Sequence, residues 1–427
     1  MRVVVMALQG PFAVIADTSA PDVVDALRAA GAYPIVEASW ADAPSALATI
    51  EPEAVVLAEL TTEQSHIDAL QHTLAELRAK NGLYMPVLAR MRDDGACPLP
   101  GTLTIAASAP PARLVRRLTT ALRVRTLHGT VARRVQTLTS RGEPVPAWPE
   151  RDPLEEASVL VCGRGRFYPA LSVAMGERVG VVGALSVESA ARALNVRELD
   201  GMVIGDGFGP RVVEALLTVL ADNVGFRDLP VVVLGGHPGI IEPYALELGN
   251  LERVGDGAER VVDRILPYVR QHAYGERLKR MLKSLDAKGM LDPDTGLLAH
   301  DAFWRDLNRA VDDAEKRGTG LSIARFSFDG SDRRTSLDAA RLLARLMRQV
   351  DFACREVDNS IFAVFTETDL RAAHVVARRI AGLLKHSMTA PDQNKRGIEA
   401  AVTLATLKPT DDVNSLIARV VGEVAAN

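Results

Sequence analysis

The chain is poor in the residues that staple a fold or carry its chemistry. Among 427 residues there are three cysteines, Cys97, Cys162 and Cys354, far apart and without a CxxC pair. That spacing excludes a disulfide framework and a structural zinc site. Eight histidines are scattered, and those such as His237 and His374 have no acid or nucleophile beside them. They are read as loop or surface residues. No window approaches the run of about 18 apolar residues that a spanning helix needs. Met1–Leu8 is apolar but short, and it lacks the basic flank of a signal peptide. Charge of one sign is also missing: 50 basic against 54 acidic residues leave a net charge of −4. Nothing in that balance draws the chain to nucleic acid or to an anionic membrane. The expectation is a cytoplasmic protein with no metal, no cofactor and no membrane span.

The length predicts two to four domains. From Phe12 to about Leu127, short apolar runs such as FAVIA (12–16) and AVVL (54–57) alternate with amphipathic stretches. A second stretch repeats that plan, with strands at Ser158–Cys162, Val179–Val182, Gly201–Ile204, Pro230–Leu234 and Leu251–Val254. Strands alternating with helices argue for parallel sheets covered on both faces. Between them, RGEPVPAWPERDPLEE (141–156) reads as a partly extended linker. Ala258–Lys288 is amphipathic, and Pro267 and Gly275 are expected to break it into two helices. Arg116-Arg117 and Arg133-Arg134 read as solvated helix faces.

Two tandem doubly wound units of five strands resemble receiver domains of response regulators. That resemblance implies a phosphoacceptor after strand three, an acidic pair after strand one, a Thr or Ser after strand four and a Lys after strand five. The first unit has Ala58-Glu59, Asp17-Thr18 and Ala89 there, and no Lys. The second has Gly163-Arg164, Gly205-Asp206 and Gly235-Gly236, with Gly255-Asp256 and no Lys. Both are expected to be pseudo-receivers used for dimerisation or docking. Asp206 is either a shifted phosphoacceptor or an Asp in a Gly-rich turn. GxG at 163–165 alone is a weak phosphate-loop signal, and Arg164 or Arg166 could fill the vacant acidic site with positive charge.

The last third carries the more specific motifs. DPDTGL (292–297) is similar to the opening of GGDEF domains, and the strand LSIARFSFD (321–329) to the strand that ends in their metal-binding DxD. Here the first of those acids is Ser327, and only Asp329 remains. The interval from Asp329 to Arg348 is shorter than in the family, and the lost piece is the part that would hold the guanine of GTP. The stretch from Arg348 to Ile361 resembles RxxD followed by the signature hairpin, with GGDEF replaced by Val357, Asp358, Asn359, Ser360 and Ile361. Val357 and Asp358 add side chains where glycines let the triphosphate approach, and Asn359 is neutral where a metal ligand belongs. Arg419 stands near the place of the family's terminal phosphate-binding residues, but reads as a solvated helix residue.

Arg348-xx-Asp351 survives. The resemblance implies that it is the family's inhibitory site for cyclic di-GMP, completed by Arg379 with Arg378 beside it. An Arg can read the O6/N7 edge of guanine and stack on it. The same RxxD is also what a helical i,i+3 ion pair looks like. The chain is thus similar to degenerate GGDEF response regulators of the PleD-type receiver–receiver–GGDEF plan. The fold class is α/β: two tandem doubly wound receiver-like domains (1–130 and 157–270), then a GGDEF-like, nucleotide-cyclase-type α+β domain (291–427). A linker (131–156) and a connecting helix (271–290) join them. The function implied is a non-enzymatic cyclic di-GMP effector or adaptor, homodimeric and acting on unnamed protein partners. The rivals are a ligand-independent scaffold and, least favoured, an active diguanylate cyclase.

Overall fold

The computed structural model describes residues 8–92, 97–148, 153–235, 238–255, 257–328, 333–387 and 400–422. The first sheet grows from β1 (Phe12–Ile15), α1 (Pro21–Ala29), β2 (Ile35–Ala38), α2 (Ala43–Ile50) and β3 (Ala54–Leu57). It is completed by α3 (Gln64–Asn81), β4 (Val87–Met91), β5 (Leu103–Ala106) and α4 (Pro111–Ser140). The second comprises β6 (Ser158–Cys162), α5 (Tyr168–Gly176), β7 (Gly180–Ala184), α6 (Val187–Val196) and β8 (Gly201–Ile204). Then come α7 (Pro210–Asp222), β9 (Val231–Leu234), α8 (Pro238–Ile241), β10 (Leu251–Val254) and α9 (Ala258–Asp286).

Both sheets are parallel, in the orders β2-β1-β3-β4-β5 and β10-β9-β8-β6-β7. Counted within each unit, that is the doubly wound order 2-1-3-4-5 read from one edge or the other. Strands of four or five apolar residues buried on both faces, such as β3 and β9, are what such sheets require. Prolines in the first turns of α1 and α7, and the Ser186–Ser189 capping box of α6, set where the helices start.

The last third holds α10 (His300–Arg317), β11 (Leu321–Phe328), α11 (Arg333–Leu346), β12 (Phe352–Arg355) and β13 (Ile361–Thr366). It ends with α12 (Leu370–Ser387), β14 (Ala400–Thr406) and α13 (Val413–Val421). The sheet is antiparallel, ordered β12-β13-β11-β14, which is a βαββαβ arrangement. One face of the sheet packs Ala324, Phe326, Leu343, Phe365 and Ile380. On the other, Phe303 stands 5.6 Å from Phe352 and 6.5 Å from Phe362, ring centre to ring centre.

Contacts divide the chain into two compact units. One comprises 11–125 with 148–278 and holds both parallel sheets; the other comprises 126–147 with the chain from 279 onward. The division falls inside α4 and α9, so the expected boundaries at 130 and 270 lie within helices. α4 runs to Ser140, through the first part of the expected linker.

Pro267 and Gly275 do not break α9. A proline removes one backbone bond, whereas Val261, Ile265, Val269 and Ala273 carry the helix across the second core on both sides of it.

The paired arginines are a second correction. Arg133 and Arg134 are 5% and 4% exposed. Arg134 pairs with fully buried Asp306, reaches Asp286 at 3.2 Å, and lies 5.6 Å over the Phe352 ring. Arg117 is 1% exposed in the unit of the parallel sheets. It donates to the Thr104 carbonyl of β5, to the Leu251 carbonyl of β10 at 2.9 Å and to the Tyr268 hydroxyl at 2.7 Å. It also pairs with Glu252, itself 7% exposed. Removing one partner of a buried ion pair strands the other. Arg117→Ala will therefore lower the unfolding free energy by about 3–5 kcal/mol, read by urea titration. Arg123→Ala, which breaks a half-exposed pair with Asp228 (3.0 Å), will cost about 0–1 kcal/mol. Equal effects would remove Arg117 from its central place.

Candidate functional site

The β12–β13 hairpin organises the candidate site. Its register runs from Phe352↔Val364 to Arg355↔Ile361, and its tip spans Glu356 to Ser360. The Glu356 N–H donates to the Ser360 carbonyl at 2.8 Å, and the Asn359 N–H to the Glu356 carbonyl at 3.0 Å. Asn359 takes the left-handed conformation (φ 67°), which Asn tolerates better than most residues.

The tip is tied by its own side chains. Arg325, on the neighbouring strand β11, donates to Asp358 at 2.6 Å and to the Ser360 hydroxyl at 3.2 Å. Asp358 also accepts from the Ser360 N–H (2.9 Å) and hydroxyl (2.6 Å). Burial pushes the Asp358 carboxyl up, but the Ser360 donors and Arg325 outweigh it and hold it below the usual carboxylate range. Arg355 donates to the Asn359 side-chain oxygen at 2.9 Å, and the Ser336 hydroxyl to the Asn359 carbonyl at 2.8 Å. Ser360 and Ile361 are buried, whereas Val357 is 94% exposed. Ser327 lies two residues beyond Arg325 on β11 and donates to the Ala401 carbonyl at 3.4 Å. Asp329 lies outside the described residues. Arg419, read as solvated, donates to the Thr406 carbonyl at 2.8 Å and pairs with Asp411. Among the described residues no group of three or more His, Cys, Asp or Glu is placed to hold a metal ion.

Arg325 escaped the sequence reading. Its signal was a lone charge at the centre of the apolar strand LSIARFSF, on the same face as Ser327 by β alternation.

Arg348 and Asp351 lie at the other end of β12, roughly 13 Å from the tip at about 3.3 Å per residue. They form a turn, not a helical pair: the Asp351 N–H donates to the Arg348 carbonyl at 3.1 Å. Asp351 is 8% exposed, and its carboxylate accepts from the Thr366 N–H at 3.1 Å. Burial pushes Asp351 up to about 7, against the pull of Arg348 and Thr366. Arg348 is half-buried, and among the described residues its guanidinium has no hydrogen bond or ion pair. Arg378 and Arg379 are exposed on α12, and no hydrogen bond or ion pair joins them to Arg348 or Asp351.

In the parallel sheets the carboxyl edges are also occupied from within. Asp17 accepts from the Trp40 N–H at 3.1 Å. Glu59 accepts from Thr18 and Arg92, each at 2.6 Å, beside a cleft of about 520 Å³. Ala58 also lines that cleft, and Ala89 lies in β4. In the second sheet the loop 163–167 folds over Asp206. The Asp206 carboxylate accepts from the Phe167 N–H at 3.2 Å, and its carbonyl from the N–H groups of Arg164 and Gly165. This favours the turn role for Asp206 over that of a phosphoacceptor. Arg164 donates to the Gly207 carbonyl at 3.4 Å and Arg166 stacks 4.7 Å over Phe167, so neither reaches into a vacant acidic site. His374 is exposed; His237 and Asp256 lie outside the described residues.

No family model matches the chain, and no curated protein does. Among solved structures, 64 chains match. One is the coiled-coil and GGDEF domain of DgcB from Caulobacter crescentus in complex with c-di-GMP: 21% identity, 34% of this chain and 83% of that one, TM-score 0.29. Another is the diguanylate cyclase SiaD with its activator SiaC from Pseudomonas aeruginosa: 17% identity, 34% and 62% covered, TM-score 0.30. A third is the GGDEF domain of FimX from the same organism: 16% identity, 31% and 88% covered, TM-score 0.28. The neighbours are GGDEF domains, but at these TM-scores the likeness decides nothing about chemistry.

Two outcomes follow from the geometry. A carboxyl whose folded pKa is raised favours the folded state fully below its ordinary pKa of about 4. That contribution is lost as pH rises through about 7. Asp351→Asn keeps the oxygen that accepts from Thr366 and removes the titration. Its urea midpoint will therefore fall less than that of the parent between pH 4 and 8; parallel profiles would refute this. At Gly165, a Cβ would stand 2.1 Å from the Asp206 carboxyl carbon. Gly165→Ala will cost about 1–3 kcal/mol, and Asp206→Ala in the same chain will recover most of it. Failure of the second change to rescue would separate the two residues.

Proposed function

We propose that the chain is a non-enzymatic, cyclic di-GMP-binding signalling protein with a degenerate GGDEF domain behind two pseudo-receivers. The observation that carries this is the contrast between two ends of one hairpin. At the tip, where a cyclase would need free carboxylates for metal ions, Asp358 is spent on Arg325 and Ser360, and Asn359 on Arg355 and Ser336. Phosphoryl transfer depends on metal and cationic groups gathered around the transferring phosphate, and a carboxylate locked to an arginine supplies neither. At the base, Arg348 is a half-buried guanidinium with no protein acceptor among the described residues, so it can donate two bonds to the O6/N7 edge of guanine.

Asp351 takes a different part in this site. Its carboxylate fastens the Arg348 turn to β13 through Thr366. Arg379, with Arg378, supplies exposed positive charge on α12 for the ligand's phosphates. Ligand bound at Arg348 would crosslink GGDEF domains within or between dimers and change what the protein docks to. The burial of Asp351 gives the ligand-independent scaffold its one specific support, because a buried carboxylate is a poor acceptor for guanine.

Calorimetry separates the two. Cyclic di-GMP will bind the full chain, Arg348→Ala will weaken it about tenfold to a hundredfold, and GTP with Mg²⁺ will not be turned over. Absence of heat with the parent chain, or unchanged affinity in Arg348→Ala, favours the scaffold. Cyclic di-GMP formed from GTP would restore the cyclase reading.

A further inference from the structure

The unit of the parallel sheets has a cavity of about 340 Å³ that belongs to neither carboxyl edge. It opens at the amino ends of β4 and β5, where the end of α3 meets the middle of α9. Its size falls in the range of small-molecule sites. The Tyr84 and Tyr274 rings form part of its wall, 6.1 Å apart and tilted by 41°, and the Pro267 ring extends it. Arg78 and Arg270 also line it, and none of the lining residues is a carboxylate. Both arginines lie near the Tyr84 phenol: burial pushes that group up, and the two guanidinium charges pull it back.

The wall also holds a polar group the fold leaves unpaired. Gln271 is 4% exposed, and its Oε1 is buried with no hydrogen-bond partner among the described residues. Buried acceptors without partners are costly and uncommon. Here the residue that carries the unpaired oxygen lines an aromatic, electropositive cavity. A ligand that satisfies all three features has a flat ring for the tyrosines, an N–H donor on the edge of that ring for Gln271 and an anionic group for the arginines.

The geometry points to a binding site for a small planar aromatic anion that carries an N–H donor on the edge of its ring system, the chemistry of a purine nucleoside monophosphate (N1–H or exocyclic amine of guanine, exocyclic amine of adenine). The ring lies against Tyr84 and Tyr274, its N–H donates to Gln271 Oε1, and the phosphate faces Arg78 and Arg270. Neither Arg348 nor the hairpin takes part.

Calorimetry on the full chain carrying Arg348→Ala tests this apart from the cyclic di-GMP reading. The probes are GMP, AMP, inorganic phosphate and benzoate. Both nucleotides will bind, with phosphate and benzoate at least about tenfold weaker. Tyr274→Ala will weaken nucleotide binding about tenfold. Gln271→Leu will weaken it to a similar degree while leaving the melting temperature of the free protein unchanged or higher, because it removes an unpaired buried acceptor. A merely structural Gln271 would lower that temperature instead. Arg270→Ala, at a half-buried position, gives a second measure of the charge contribution should either core variant fold poorly. No heat with GMP and AMP overturns the site. So does phosphate binding as tightly as the nucleotides, or unchanged affinity in both Gln271→Leu and Arg270→Ala.

Discussion

A guanidinium taken out of water must recover its solvation from the protein, and Arg117 does so by joining two sheets. It donates to the carbonyls of Thr104 in β5 and Leu251 in β10, the terminal strands of their sheets. Edge carbonyls left open invite pairing with another chain; here side chains close them. The arrangement is nearly two-fold within one chain. Arg117 is the seventh residue of α4 and addresses Glu252, the second residue of β10; Arg264 is the seventh of α9 and reaches Thr104, the second of β5. Only arginine has enough donors, in a planar fork, to serve both strands and a tyrosine at once. The last strand and the first turns of the last helix of each parallel sheet are thus engaged by the other sheet.

The same economy governs the C-terminal sheet. Arg134, Arg309, Arg317, Arg325, Arg355 and Arg419 each find a carbonyl, carboxylate or side-chain oxygen within the protein. The hairpin tip is closed by Arg325 and Asp358, whose charges neutralise each other. Against that background Arg348, whose guanidinium has no hydrogen bond among the described residues, becomes informative. Folding tolerates a half-buried guanidinium without an acceptor where water, or a ligand in its place, completes its bonds.

The sequence displayed the alternation of elements well, because strands such as AVVL (54–57) and VVVL (231–234) are too apolar and too short to be anything else. It displayed the hairpin too, since the RxxD turn and the tip fall where spacing put them. What stayed hidden were properties of packing. Arg117, Arg133 and Arg134 look like solvated charges because the elements that bury them lie more than 100 residues away in sequence. Pro267 looks like a break because its cost is local, while the core contacts that override it are distant. Asp351 looks like an exposed acceptor because nothing in RxxD reports that Thr366 lies opposite it.

These cases share one physical lesson about where a ligand can enter. Motifs drew attention to Asp206, Glu59 and the hairpin tip, yet each of those groups already has its hydrogen bonds made by the protein: Phe167 at Asp206, Thr18 and Arg92 at Glu59, Arg325 at Asp358. A site that has satisfied itself offers a ligand little, since binding must first break what is there. Two groups without a hydrogen bond among the described residues are the Arg348 guanidinium, at the base of the hairpin, and the Gln271 side-chain oxygen, beside an aromatic cavity that no motif marks. A polar group with no bond inside the protein can be satisfied by a ligand without first breaking one, and that makes it a better guide to binding than resemblance at positions the fold has already closed.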